Sequence, residues 1–253
     1  MESNNSPKEH KTYRLNKFLA LTNKASSRRN ADVLIEEGKV KIDGKVCKDF
    51  SFQINPKIHD VQVGNSKAVF KDEYYYVLLN KPKDSITTTN DEKDRRTVYD
   101  FLKFPYTEQL KPVGRLDRNT TGLLLFTNNG DFLNKLTHPS NEVVKIYEVS
   151  LDKNVTELDI ENFEKGAQLE DGEFIPDEVI KIDENNKLGI QVHSGKNRIV
   201  RRYFEHFGFN VIKLDRVYFA GLTKYKLPRG KARELTPKEL RFVNSQIKTK
   251  KDK

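Results

Sequence analysis

Residues 114–131 read GRLDRNTTGLLLFTNNGD, and the apolar run inside them most constrains how this chain can fold. Leu123, Leu124, Leu125 and Phe126 follow one another without a polar break, so both faces of the segment need cover. The run reads as a buried strand closed by an Asn-Asn-Gly turn. Just ahead of it, Asp117 lies between Arg115 and Arg118. Taken alone, that spacing is most simply an ion pair. Its sharper reading is an acid kept ionised, because an arginine within about 4–6 Å lowers a carboxylate pKa by roughly 1–3 units. An ionised, partly desolvated carboxylate is a competent nucleophile towards carbon.

The chain ahead of this region has a different texture. RLNKFLALTN places Leu15, Phe18 and Leu19 on one face of a short helix. SSRRNADVLIEEG predicts a second helix, capped by Ser26 or Ser27 and stopped at Gly38. KVKIDGKVC alternates Val40, Ile42 and Val46 around Asp43–Gly44, a hairpin signal. Arg28 and Arg29 fall in the first turn of the second helix, where the helix dipole disfavours cations. A phosphate docked there would reverse that cost; two tolerant surface arginines are the plain alternative.

From Glu73 onward strands and helices interleave. YYYVLLNKP (74–82) is a strand ended by Pro82, and TTTNDEKDRRTVYDFL is a polar loop leading to a helix around Val98–Leu102. DFLNKLTHP is a short helix, KIYEVSL and KLGIQVH are alternating strands, NRIVRRYFEHFG is a helix, and FNVIKLDRVYF is a strand. No βαβ period repeats and no Gly-rich phosphate loop follows a strand. The fold class expected is α+β, with a mixed, mostly antiparallel sheet flanked by helices.

Charge and rare residues narrow the function. Lys plus Arg against Asp plus Glu gives +4 over residues 1–60, −7 over 61–192 and +12 over 193–253, which together make the net +9. That asymmetry fits a polyanion gripped at chosen surfaces, against the bland reading of a solvated basic surface. Cys47 is the sole cysteine, so no internal disulfide or cysteine-based zinc cluster forms, and the five histidines lack HxH or HxxxH spacing. The sequence therefore predicts no metal. No run of about 18 apolar residues occurs, and the polar start MESNNSPKEHKT has no signal-peptide pattern. A cytoplasmic address without membrane attachment is expected.

Two further residues stand out beside Asp117. In NRIVRRYFEHFG, Val200, Tyr203, Phe204 and Phe207 take the core face at helical spacing. Arg201 then falls on the shoulder, while Arg198 and Arg202 point to solvent or a polyanion. Tyr147 lies on a strand face with Lys145 and Val149, as a core ring or as a plate for a flipped base.

The Tyr13–Asp60 stretch resembles the S4 RNA-binding domain, which implies that Lys24, Arg28 and Arg29 contact an RNA backbone. The chain as a whole resembles the RsuA/RluB/RluF group of pseudouridine synthases, which modify ribosomal RNA. The likeness runs through LNKP (79–82), PVGRLDRNTTGLLLFTNNGD (112–131), LTHPSNEVVKIYEV (136–149) and RIVRRYFEHFGFNVIKLDRV (198–217), in that order. It implies Asp117 as the catalytic aspartate, Tyr147 as the tyrosine stacked on the target uracil, and Arg201 as the partner of the aspartate. Arg115 would hold the target nucleotide out of the RNA stack. Arg118, Asn119, Thr120, Lys81, Arg198 and Arg202 complete the expected substrate-binding set. The group commonly has Arg-Gln-Val-Arg-Arg-Met where this chain has Arg198-Ile199-Val200-Arg201-Arg202-Tyr203, so an amide is lost at Ile199.

The implied reaction detaches uracil at N1, rotates it and rejoins it through C5. It moves no electrons or groups out of the system and so calls for no cofactor. The expected layout is a tail (1–12), an S4-like domain (13–72), a catalytic domain (73–245) and a basic tail (246–253). The expected partner is a ribosomal RNA stem-loop or pre-ribosomal particle, with large-subunit 23S RNA favoured and the chain acting as a monomer. The rival expectation is a catalytically silent ribosomal RNA-binding or assembly factor on the same fold.

Overall fold

The computed structural model describes residues 12–70, 73–89, 91–183 and 185–247. The first eleven residues and the last six, which hold most of the two expected tails, lie outside the described residues. The chain divides into two compact units, Met1–Glu73 and Tyr74–Lys253.

In the first unit, helices Leu15–Leu21 and Arg28–Glu36 precede a small antiparallel sheet. Leu15, Phe18 and Leu19 are buried, as their spacing requires. Ser27 caps the second helix by accepting from the Asn30 amide at 3.1 Å, and Gly38 leaves it at φ 71°. The Asp43–Gly44 turn has both residues at positive φ. It pairs Val46 with Lys41, so Val46 shares the solvent face of that lysine and is exposed. The alternation therefore holds for Val40 and Ile42 but flips after the turn.

The second unit is built on a nine-stranded sheet. Its main strands are β1 (Tyr76–Lys81), β2 (Thr121–Thr127), β3 (Lys145–Leu151), β4 (Glu178–Lys181), β5 (Lys187–Val192), β6 (Val211–Phe219) and β7 (Ala232–Glu234). They lie side by side in the order β4-β5-β3-β6-β2-β1-β7. Only β2 and β6 run parallel among these neighbours, with Asp215 beside Thr121 and Arg216 beside Gly122. The fold is α+β with a mixed, mostly antiparallel sheet.

The apolar run fills both sides of β2. Leu123 and Leu125 pack with Phe132 and Leu136 of the helix Gly130–Thr137. Leu124 and Phe126 pack on the other face with Val98 and Leu116. All four side chains of the run are wholly buried, each stabilising the fold by about 2 kcal/mol. Asn129 does more than turn the chain: its side chain accepts from the Phe132 amide and starts that helix. The segment around Val98 is a 3-10 turn, Val98–Phe101, closed by a Thr97–Asp100 capping box. At the far end, the helix Pro237–Gln246 and the buried Ile247 carry order past the boundary drawn at residue 245.

Candidate active site

A cleft of about 660 Å³ opens in the second unit, and Arg115, Asp117, Thr120, Tyr147 and Arg198 all line it. These residues come from the turn before β2, from β3 and from the start of the helix Ile199–His206.

The turn is held from behind. Lys81, at the end of β1, is fully buried, and its ammonium donates to four carbonyls. They are those of Pro82 at 3.1 Å, Asp117 at 3.1 Å, Arg118 at 3.2 Å and Thr120 at 2.8 Å. Burial drives the Lys81 pKa down to about 8, against the pull of the Asp117 charge. Lys81 was expected to touch substrate; it does not line the cleft and its ammonium is taken up by four carbonyls, so the residue instead fixes the backbone that presents Asp117. Thr87 adds a second brace, donating to the Leu116 carbonyl at 2.8 Å. Gly122 permits the close approach of β2 to β6: a Cβ there would lie 2.2 Å from the Arg216 carbonyl oxygen.

The arginines separate. Arg118 turns to Asp84, with Nε 3.2 Å from the carboxylate, and neither it nor Asn119 lines the cleft. Arg115 is exposed on the cleft wall. The guanidinium facing Asp117 belongs to Arg198, 3.8 Å from Oδ2, in a pair that leaves both side chains partly exposed. Arg201, expected as the partner, is buried and donates to the Val211 carbonyl at 2.7 Å. Burial lowers its pKa and the neighbouring Arg198 adds to this, while the Asp117 charge opposes both. The shoulder position of Arg201 holds, whereas the wheel turned Arg198 away because Arg198 is not in the helix. It is the N-cap, at φ 47°, and the left-handed turn brings its side chain back over the cleft.

Arg202 departs from expectation as well. Its two terminal nitrogens bind both oxygens of Asp171 at 2.9 Å, and its Nε donates to the Asn197 carbonyl. It braces the hairpin formed by Ala167–Leu169 and Gly172–Phe174 rather than reaching for a ligand. Ile199 is a buried apolar part of the cleft wall. In the first unit, Arg28 and Arg29 are exposed in the opening turn of their helix, and Lys24 donates to Ser66.

Three polar features escaped the sequence. Asp215 on β6 accepts from Thr121 at 2.8 Å and holds Arg229 through two bonds of 2.9 Å, with Lys224 beside them. Burial would raise its pKa, but these donors hold it at about 2. Lys145 donates to the carbonyls of Val143 and His193, and burial with the Arg216 charge lowers its pKa to about 8. Arg216 itself lies across from Tyr147 on the paired strands β6 and β3. An LDRVYF strand gives no local sign of these partners, which arrive from distant segments.

A half-exposed carboxylate, an opposed arginine and a tyrosine ring in one cleft can act on a sugar–base bond: acid at the sugar, ring against the base. Comparisons with known proteins bear on the family rather than on these side chains. The family described as RNA pseudouridylate synthase matches residues 75–206, and the S4 domain matches residues 14–57. A Bacillus subtilis protein named ribosomal large subunit pseudouridine synthase B is 40% identical over 92% of this chain and 96% of its own length. An Aquifex aeolicus protein named as an uncharacterized RNA pseudouridine synthase is 36% identical over 90% of this chain and 92% of its own. A crystal structure of a pseudouridylate synthase superposes with a TM-score of 0.66 at 28% identity, covering 91% of this chain and 99% of that one.

Proposed function

Because the chain belongs to the RNA pseudouridylate synthase family and carries an S4 domain, we propose that it isomerises one uridine of large-subunit 23S ribosomal RNA to pseudouridine, with Asp117 as the reacting carboxylate. The observation that carries this reading is the presence of Asp117 and Tyr147 on the walls of a single cleft.

The target base must leave the RNA stack to enter such a cleft, at the cost of unstacking. Tyr147 would offer it a ring face, and Arg115, exposed on the wall, would hold the nucleotide out. Asp117 then acts at the ribose, by attack at C1′ or by taking the C2′ proton. The N1–C1′ bond breaks, the uracil turns, C5 bonds to C1′, and the C5 proton is lost while N1 gains one. In this reading the Tyr147 phenol gives its own proton to N1 as it takes the one from C5, so it ends unchanged. Arg198 keeps the carboxylate oriented, and Lys81 fixes the turn beneath it. The reaction is an isomerisation and balances without an added group. Deuterium at C2′ separates the two routes, since a primary isotope effect accompanies only proton removal.

Arg28, Arg29 and Lys24 of the first unit would grip the phosphate backbone of a stem-loop, free or within a pre-ribosomal particle, with an affinity that falls as salt rises. The chain would act as a monomer in the cytoplasm.

Asp117→Asn tests the reading. Pseudouridine formation on 23S ribosomal RNA fragments, mapped by carbodiimide treatment and primer extension, is expected to fall at least about a thousandfold with RNA affinity kept. Undiminished formation by Asp117→Asn would end the enzymatic assignment of this carboxylate. Wild-type protein that binds the RNA and leaves every uridine unchanged would favour the silent binding factor.

A further inference from the structure

Two polar side chains in the cleft wall have buried atoms with no hydrogen-bond partner among the described residues: the Thr120 hydroxyl and Nη2 of Arg216. Both residues line the cleft, and they are only 2% and 3% exposed. An unpaired buried donor is costly, and more so on a charged group. Folded chains rarely keep one without a purpose.

The Arg216 guanidinium is anchored at Nε and by one face. Its Nε donates to the Leu123 carbonyl at 2.7 Å, and its plane lies over Phe219, 4.6 Å from the ring centre. The register of β3 and β6 slips between Ile146 and Tyr147, pairing Tyr147 with Arg216 and Lys145 with Phe219. This bulge puts Arg216 and Phe219 on the face that carries Lys145 and Tyr147. On its other side Arg216 is in register with Gly122, two residues beyond Thr120. The open nitrogen thus belongs to a rigid arginine between the tyrosine ring and the turn that bears Asp117.

Arginine only donates, so whatever completes Nη2 must bring an acceptor. A phosphate would have to shed its hydration to reach a nitrogen shielded from water, whereas a neutral ring carbonyl loses far less. A base laid against Tyr147 carries such carbonyls at its edge. Resting on the proposed isomerisation of uridine, we propose that Arg216, with Thr120 beside it, selects uracil by donating from Nη2 to the C4 carbonyl. Cytosine presents an amino group there, donor against donor, and leaves the guanidinium unpaired. The Thr120 hydroxyl adapts to N3 in either base, so discrimination falls to Arg216.

The test uses one 23S ribosomal RNA fragment in which the wild-type protein forms pseudouridine. Binding is measured by fluorescence anisotropy with uridine, cytidine or an abasic site at the target position. Wild type is expected to bind the uridine RNA about tenfold or more tighter than the cytidine RNA. Arg216→Met is expected to bring that ratio to about one while affinity for the abasic RNA is kept. Arg216→Gln keeps a shorter donor and should give an intermediate ratio; it decides alone if the methionine variant does not fold. A uridine-to-cytidine ratio that stays at the wild-type value in the folded variants overturns the inference, whatever their thermal stability. Equal weakening of all three RNAs overturns it too, because it marks a phosphate contact. Failure of wild-type protein to form pseudouridine in any 23S fragment is a separate result that defeats the isomerase reading itself.

Discussion

The two units use charge in opposite ways. In Met1–Glu73 the arginines of interest, Arg28 and Arg29, stand exposed at a helix start with no acidic residue in its first turn. In Tyr74–Lys253 the decisive charges are buried or half-buried and tied to fixed partners: Lys81 on four carbonyls, Asp215 on Arg229, Lys224 and Thr121, and Arg201 on Val211. Exposed charge acts at a distance, is screened by salt and tolerates error in position. Buried charge acts only in one geometry and penalises any loss of a partner. A phosphate backbone asks for the first kind, and a side chain that must keep one position asks for the second.

The sharpest break of this contrast is Asp215→Asn. It leaves Arg229 and Lys224 without their counter-charge and, since both reach solvent, is expected to destabilise the second unit by about 1.5–3 kcal/mol in urea unfolding. A loss below about 1 kcal/mol would mean that the network contributes little. The wild-type protein carries the matching pH signature. The Asp215 pKa is lowered from 3.8 to about 2, so its contribution is complete above pH 4 and is lost as pH falls from there to about 2.

Lys81 tests whether buried charge also serves activity. Lys81→Met should lower kcat by about ten- to a hundredfold through displacement of the turn, with RNA affinity little changed. Wild-type kcat should also fall as pH rises through about 8, where the ammonium loses its proton, and the variant should lack that limb. Stability moves the other way. With the pKa lowered from 10.5 to about 8, the unfolded chain binds more protons between those values, so this residue's contribution to stability grows with pH across the window. A kcat profile that is flat in wild type from pH 7 to pH 9 would remove Lys81 from the account.

The smallest effect belongs to the exposed pair. Arg28→Ala with Arg29→Ala should leave stability within about 0.5 kcal/mol and weaken RNA binding several-fold, reducing the salt slope by about two. An unfolding midpoint that drops clearly would show these arginines to be structural after all.

What could be read in advance followed the range of the interactions. The Ser27 cap, the Asp43–Gly44 turn and the buried run of β2 depend on neighbours a few residues away, and all are legible. Tyr147 followed from strand alternation, although its position opposite Arg216 required a bulge that breaks period two. Wheel arithmetic turns Arg198 to solvent because it presumes helical dihedrals, and Arg198 has left-handed ones. Lys81 looked like a ligand-binding lysine because three of its four carbonyl partners are supplied 36 to 39 residues later in the chain. The Arg229–Asp215 pair spans fourteen residues and the Arg229–Asn80 bond spans 149, beyond any local pattern.

The grip of Lys81 falls on main-chain oxygens alone. A clamp of that kind is indifferent to which side chains the turn carries at Arg118 and Asn119. Those two positions can drift without loosening the carboxylate next to them. The turn can thereby acquire new outward-facing chemistry while Asp117 stays where it is, a separation of inheritance from invention within four consecutive residues.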